Sequence, residues 1–283
     1  MTLLDYDRYC AQILDETAAL RAALTGADLS VTVPTCPDWT LEELARHVGG
    51  AHRWVELIVR TRAAEAVPME QVTGTEPDAD GPAALDAWLA DGAEKAVTAL
   101  REAGPGTDVW SWAWERGTAF WARRMTHETL IHRADAAVAA GVRYEADPWV
   151  AADAIDEWLQ LVGFVAAGED PRFASLRSGR RRTIRLTATD APEELDADWL
   201  FEFGDGGFRW RRGHGNWRGT AVAARAEEAP DAEKAPEAEV TLRGPLTEVL
   251  RAFYRRLPVD SELVEVVGDA ELLDQWLERA SFG

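Results

Sequence analysis

Cysteine is scarce in this chain: Cys10 and Cys36 are its only two among 283 residues. Two thiols cannot staple a protein of this length, which excludes a disulfide scaffold and leaves both expected as free thiols in a reducing compartment. Long apolar runs are missing too. No stretch approaches the ~20 consecutive apolar residues that span a bilayer, and MTLLDYDRYC lacks the basic and then apolar regions of a secretory signal. A cytoplasmic protein without a membrane partner is expected. Basic charge is the third shortage, with 30 Lys and Arg against 50 Asp and Glu, a net charge of −20. Nucleic-acid affinity rests on clustered cations, so a nucleic-acid partner is not expected either.

What is present is an ordinary apolar fraction of 47% with thirteen tryptophans, enough chain for two compact domains or one large one. The first ~165 residues carry helical periodicity and the remainder alternates strand patterns with two late helices, which puts a boundary near 167/168. The expected helices begin with Leu3 to Leu24. Thr40-Leu41-Glu42-Glu43 then has the Thr and Glu spacing of a capping box, opening a helix from Leu41 to about Thr61 with Leu44, Val48, Ala51, Val55 and Ile58 on one face. Further helices follow from Pro82, from Gly117 to Ala140, and from Asp147-Pro148. Four or five such helices make a bundle. Beyond Arg181, Thr183 to Thr189 alternates, and Trp199 to Phe203 meets Phe208 to Trp210 across a Gly-rich turn, a hairpin signal. Strands at Val240 to Leu242 and Leu263 to Val267, each beside a helix, complete an α+β domain (168–283) with a surface loop near 225–238.

Four of the five histidines, His47, His52, His127 and His132, lie on just two of these helices. In THETLIH, Glu128 and His132 are four residues apart and stand about 40° apart around the helix, one turn above the other, where they can share a metal ion. His127 and His132 diverge by roughly 140° and cannot both face one ion. The fifth position of HETLI is Ile131, which rules out the HExxH zinc-protease motif. His47, at the edge of the apolar stripe of its helix, can supply the third ligand in the bundle interior. Two imidazoles and a carboxylate suit Zn²⁺ and leave a fourth position open for water or substrate. Asp135, three residues after His132, is placed to orient its imidazole, and Arg124, one turn before Glu128, to neutralise it. His52 is expected at the other edge of its helix's stripe, and His127 bonded to a loop or a carbonyl.

VPTCPDWTLEELARHVGGAHRW, followed by ARRMTHETLIHRADA, resembles the mycothiol-dependent maleylpyruvate isomerase family of actinobacteria, and LVEVVGDAELLDQWLERA resembles its C-terminal domain. The resemblance spans nearly the whole chain. It implies a DinB-like four-helix bundle (1–167) with a sterol-carrier-like α+β domain after it. It also implies one zinc ion on His47, Glu128 and His132, and mycothiol as thiol cosubstrate. A thiol entering the open zinc position becomes a thiolate, which attacks an electrophilic small molecule in isomerisation or S-transfer. The rivals are a hydrolase with metal-activated water and a non-catalytic small-molecule binding protein, in either case a monomer or homodimer.

Candidates for contact with the substrate are Trp121 and Arg123 beside the ligands, and Arg209 and Arg211 in a basic island that includes Arg212, His214 and Arg218; the plainer role of that island is as outward residues of a strand and turn. Trp39, Trp54 and Trp121 are expected to line an aromatic pocket around the metal. Cys36, in the loop just before the His47 helix, can approach the site, and a buried, inert thiol is the plainer expectation. About −14 of the net charge lies in residues 1–167, a field that favours a cation and requires local arginines for any carboxylate substrate.

Overall fold

The computed structural model describes residues 2–168, 174, 179–221 and 238–280. The chain divides into two compact units, Met1–Ala146 and Asp147–Gly283.

The first unit is a bundle of α1 (Tyr6–Leu24), α2 (Leu41–Arg60), α3 (Pro82–Ala103) and α4 (Thr118–Ala140). Local chemistry sets the helix starts. Asp5 accepts from the amide of Arg8 to open α1, and the capping box at α2 forms as the sequence dictates, with Thr40 Oγ1 and Glu43 each accepting the other's amide. Helix α4 stops at Gly141, whose φ of 66° is the left-handed cap that glycine adopts without strain. Helices α1 and α2 each pack against both α3 and α4, closing a ring. A short hairpin, β1 (Thr32–Val33) with β2 (Cys36–Thr40), crosses the α2 start, where Leu41 and Glu42 amides donate to Val31 and Leu29 carbonyls. Two apolar clusters fill the bundle. One joins Ile13, Val55, Ile58, Leu100, Phe120 and Trp121; the other joins Leu20, Leu41, Leu44, Val48, Trp88 and Leu89.

The second unit contains α5 (Pro148–Ala167), β3 (Arg182–Ala188), β4 (Asp198–Phe203), β5 (Gly207–Arg212), β6 (Arg218–Ala221), β7 (Val240–Gly244), α6 (Leu246–Phe253), β8 (Glu265–Gly268) and α7 (Ala270–Arg279). The sheet order is β6-β5-β4-β3-β7-β8, antiparallel except where β3 runs parallel to β7. Trp199, Phe201, Phe208, Trp210, Phe253 and Trp276 are fully enclosed and form its core.

The unit boundary differs from the expected 167/168. Helix α5 serves the second core: its Asp156 accepts from Trp199 Nε1 at 2.7 Å, the Ala154 carbonyl accepts from Tyr254, and Trp158 lies 4.4 Å from the Tyr254 ring. Periodicity identifies a helix but not the core it joins. The loop expected near 225–238 falls outside the described residues up to position 237.

Candidate metal centre

Helix α2 brings His47, and α4 brings Glu128 and His132, to one point. His47 Nε2 lies 3.1 Å and His132 Nε2 3.3 Å from Glu128 Oε1. One donor atom from each of the three residues falls within 4.8 Å of the others. The site is open on one side: the His47 and Glu128 side chains keep 36% and 26% exposure, against 9% for His132.

The surroundings hold these groups in place. His132 Nδ1 donates to Asp135 Oδ2 at 2.9 Å, and Asp135, fully buried, also accepts from Thr35 Oγ1 at 2.5 Å and from the Cys36 thiol at 3.6 Å. Arg124 approaches the second oxygen of Glu128 at 3.5 Å. The Trp39 ring lies 4.7 Å from that of His47 and 6.0 Å from that of His132.

Burial by itself would raise the Glu128 pKa, but hydrogen bonds from His132 and His47, with Arg124 nearby, hold it well below the usual carboxylate range. Burial likewise would lower His132; the Asp135 and Glu128 carboxylates outweigh it and raise the imidazole from 6.5 to about 9. Both shifts arise from the same His132–Glu128 pair. Their signs give a prediction for the metal-free protein. A raised histidine stabilises fully below pH 6.5 and loses that contribution as pH rises through 9, while a lowered carboxylate stabilises above pH 4.5 and loses its contribution as pH falls below it. In chelator, the melting temperature of wild type should therefore decline between pH 6.5 and 9 relative to a His132→Asn variant. Parallel curves across that window would contradict the assignment.

Expectation and structure differ at several residues. Trp121 is enclosed, donating to the Trp110 carbonyl and packed against Trp54 and Phe120, so it builds the core instead of contacting a substrate. Of the three tryptophans expected around the metal, only Trp39 has a described ring contact with the site's histidines; Trp54 and Trp121 form a separate aromatic cluster with Trp110. Arg123 is buried on α4. Arg209 pairs with Glu202 at 2.8 Å and lies over Trp217, which Arg211 also approaches; both belong to the second unit. His52 is not at a boundary but buried, 2.9 Å from Thr129 Oγ1. Thr129 donates its own proton to the Met125 carbonyl, so Nε2 of His52 is the donor, and burial, then Arg53, lowers this imidazole to about 4. His127 is buried edge-on to Tyr9 at 6.1 Å. Thr35 as a partner of Asp135 had no sequence signal; the turn between β1 and β2 brings it there.

The fold and site thus define a helical bundle with a His-Glu-His donor set, joined to an α+β unit. Residues 10–137 match the mycothiol maleylpyruvate isomerase N-terminal domain and residues 150–275 the C-terminal domain of the same family, and the chain belongs to that family. Crystal structures of the mycothiol-dependent maleylpyruvate isomerase, and of a histidine-to-alanine mutant of it, share the fold, each with a TM-score of 0.55 at 14% identity over 94% of this chain and 95% of theirs. No curated protein matches the chain by sequence.

Proposed function

We propose that this chain is a zinc-dependent enzyme that uses mycothiol as thiol cosubstrate on a small electrophile, as an isomerase or S-transferase. The observation that carries this reading is the convergence of His47 Nε2, Glu128 Oε1 and His132 Nε2 at one partly open point. Two imidazole nitrogens and one carboxylate oxygen fit zinc by donor type and number, and three protein ligands match a catalytic rather than a structural site. His47, Glu128 and His132 would hold the ion, which when bound would supply the positive charge that lowers the pKa of an entering thiol.

The chain's own residues do the rest. Asp135 accepts the Nδ1 proton of His132, which fixes the ring's orientation and leaves Nε2 as the nitrogen that would bind the ion. Thr35 and Cys36 donate to Asp135 and so hold its carboxylate in place. Arg124 offsets part of the charge of Glu128. Trp39 covers the His47 ring and excludes water from that side, while the exposed edges of His47 and Glu128 leave the approach for thiol and electrophile. In isomerisation the thiol adds to a conjugated double bond, the resulting single bond rotates, and elimination returns the thiol, so the chain supplies no redox group and forms no bond to the substrate itself.

Millimolar mycothiol should raise the melting temperature of the zinc-loaded wild type by at least about 2 °C and leave a His132→Ala variant unmoved. An unmoved wild type would favour metal-activated water and hydrolysis instead.

A further inference from the structure

His132 stands between two carboxylates, with Nε2 3.3 Å from Glu128 Oε1 and Nδ1 2.9 Å from Asp135 Oδ2. A neutral imidazole has one N–H and one lone pair, and the acceptor it meets selects which nitrogen carries the proton. Here an acceptor is in place on each side, so the ring donates to both carboxylates, and whichever nitrogen gives up its proton to bind an ion, the other keeps its acceptor. With the proton on Nδ1, the lone pair is directed toward Glu128. With the proton on Nε2, Glu128 accepts it and the lone pair is directed toward Asp135. That second side has its own donor set: Cys36 Sγ, one His132 nitrogen and one Asp135 oxygen also lie within 4.8 Å of one another. Asp135 and His132 are buried, and half-buried Cys36, on β2, gives the set an edge toward solvent.

We propose that Cys36, His132 and Asp135 form a second, softer cation site that shares His132 with the first, so that only one of the two is filled at a time. A thiolate donor selects for soft ions such as Cd²⁺ or Cu⁺ over hard ones. Filling the second site in the metal-free protein sends the Cys36 thiol proton and the His132 Nδ1 proton to solvent and leaves Nε2–H donating to Glu128, and where zinc is displaced Nε2 takes up a proton in its place; no electron is transferred. The first site then keeps only His47 and Glu128, too few ligands to retain zinc. The exclusion of zinc rests on the proposed zinc site above; the second donor set does not.

Cadmium chloride titrated into the metal-free full chain tests this through the ultraviolet thiolate-to-cadmium charge-transfer band. One equivalent of band per chain is expected in wild type and in His47→Ala, and none in Cys36→Ser. In the zinc-loaded wild type each cadmium bound should release one zinc, followed with a zinc-binding dye, while Cys36→Ser keeps its zinc. No band in wild type, or an undiminished band in Cys36→Ser, which would place the ion on Cys10, overturns the site. Cadmium bound through Cys36 with zinc retained overturns the exclusion. A Cys36-dependent band in a protein that never holds zinc would refute the proposed function and leave the second site standing.

Discussion

His132→Ala should reduce zinc affinity by more than 100-fold, because loss of an outer partner of a metal-bound imidazole already costs about 10–100-fold and here a ligand itself is removed. His132 is also the pivot of the local hydrogen bonding, donating from one nitrogen to Asp135 and from the other to Glu128 in the metal-free state. The geometry predicts an order of effects. His47→Ala should match His132→Ala, since His47 is the sole proposed ligand from α2. Asp135→Asn should fall between about 10- and 100-fold, because it leaves all three ligands but removes the acceptor that fixes the His132 tautomer. His127→Ala should change affinity little, as its described ring contact is with Tyr9. Isothermal titration with zinc reads the whole series, and a His127→Ala loss as large as that of His132→Ala would show that the wrong face of α4 carries the site.

Gly49→Ala should destabilise the first unit by about 2–3 kcal/mol, although alanine is intrinsically the better helix former by about 1 kcal/mol. The reason lies across the α2–α3 contact. A Cβ built on Gly49 meets the Trp88 ring at 2.0 Å, and that ring cannot retreat freely: its Nε1 donates to the Gly74 carbonyl at 2.8 Å, and the Arg53 guanidinium lies over it at 4.1 Å. Arg53 in turn donates to the Gly49 and Trp88 carbonyls and to Asp91, so a shifted Trp88 would disturb a buried hydrogen-bonded cation as well. Gly49 is two residues from His47 on the same helix, so the packing that admits Trp88 also sets where the His47 backbone sits. Chemical denaturation of Gly49→Ala alone and in a Trp88→Leu background forms the test. The cost should largely vanish with leucine at 88; an equal cost in both backgrounds would mean that Trp88 is not what the new methyl meets.

The parts of the site written in local order were legible in the sequence. The capping box fixed where α2 begins, and Glu128 and His132 at i and i+4, with Asp135 a further three residues on, needed only helical geometry. The meeting of His47 with Glu128 was within reach because His47 edges the apolar stripe of α2 and Trp121 and Met125 share the α4 face of Glu128 and His132; α4, buried nearly all round, has no stripe of its own. What escaped was set by tertiary contact. The hairpin carrying Thr35, Cys36 and Trp39 is too short and too polar to show a strand period, yet it brings all three against the α4 and α2 histidine site. Trp121 and Trp39 look alike as tryptophans near ligands; only packing assigns the first to the core and the second to the His47 ring. Helix α5 has the same periodicity as the bundle helices and differs only in its partners, the Trp199 indole and the Tyr254 hydroxyl, which lie 43 and 100 residues away from their acceptors in sequence.

His47, Glu128 and His132 are proposed to hold one zinc ion per chain. Elemental analysis of the full chain, purified without chelator and then dialysed against trace zinc, tests it most directly. About one zinc per chain is expected in wild type and almost none in the His47→Ala or His132→Ala variants. A folded wild-type protein holding less than about half an equivalent, or variants that keep a full one, would contradict it.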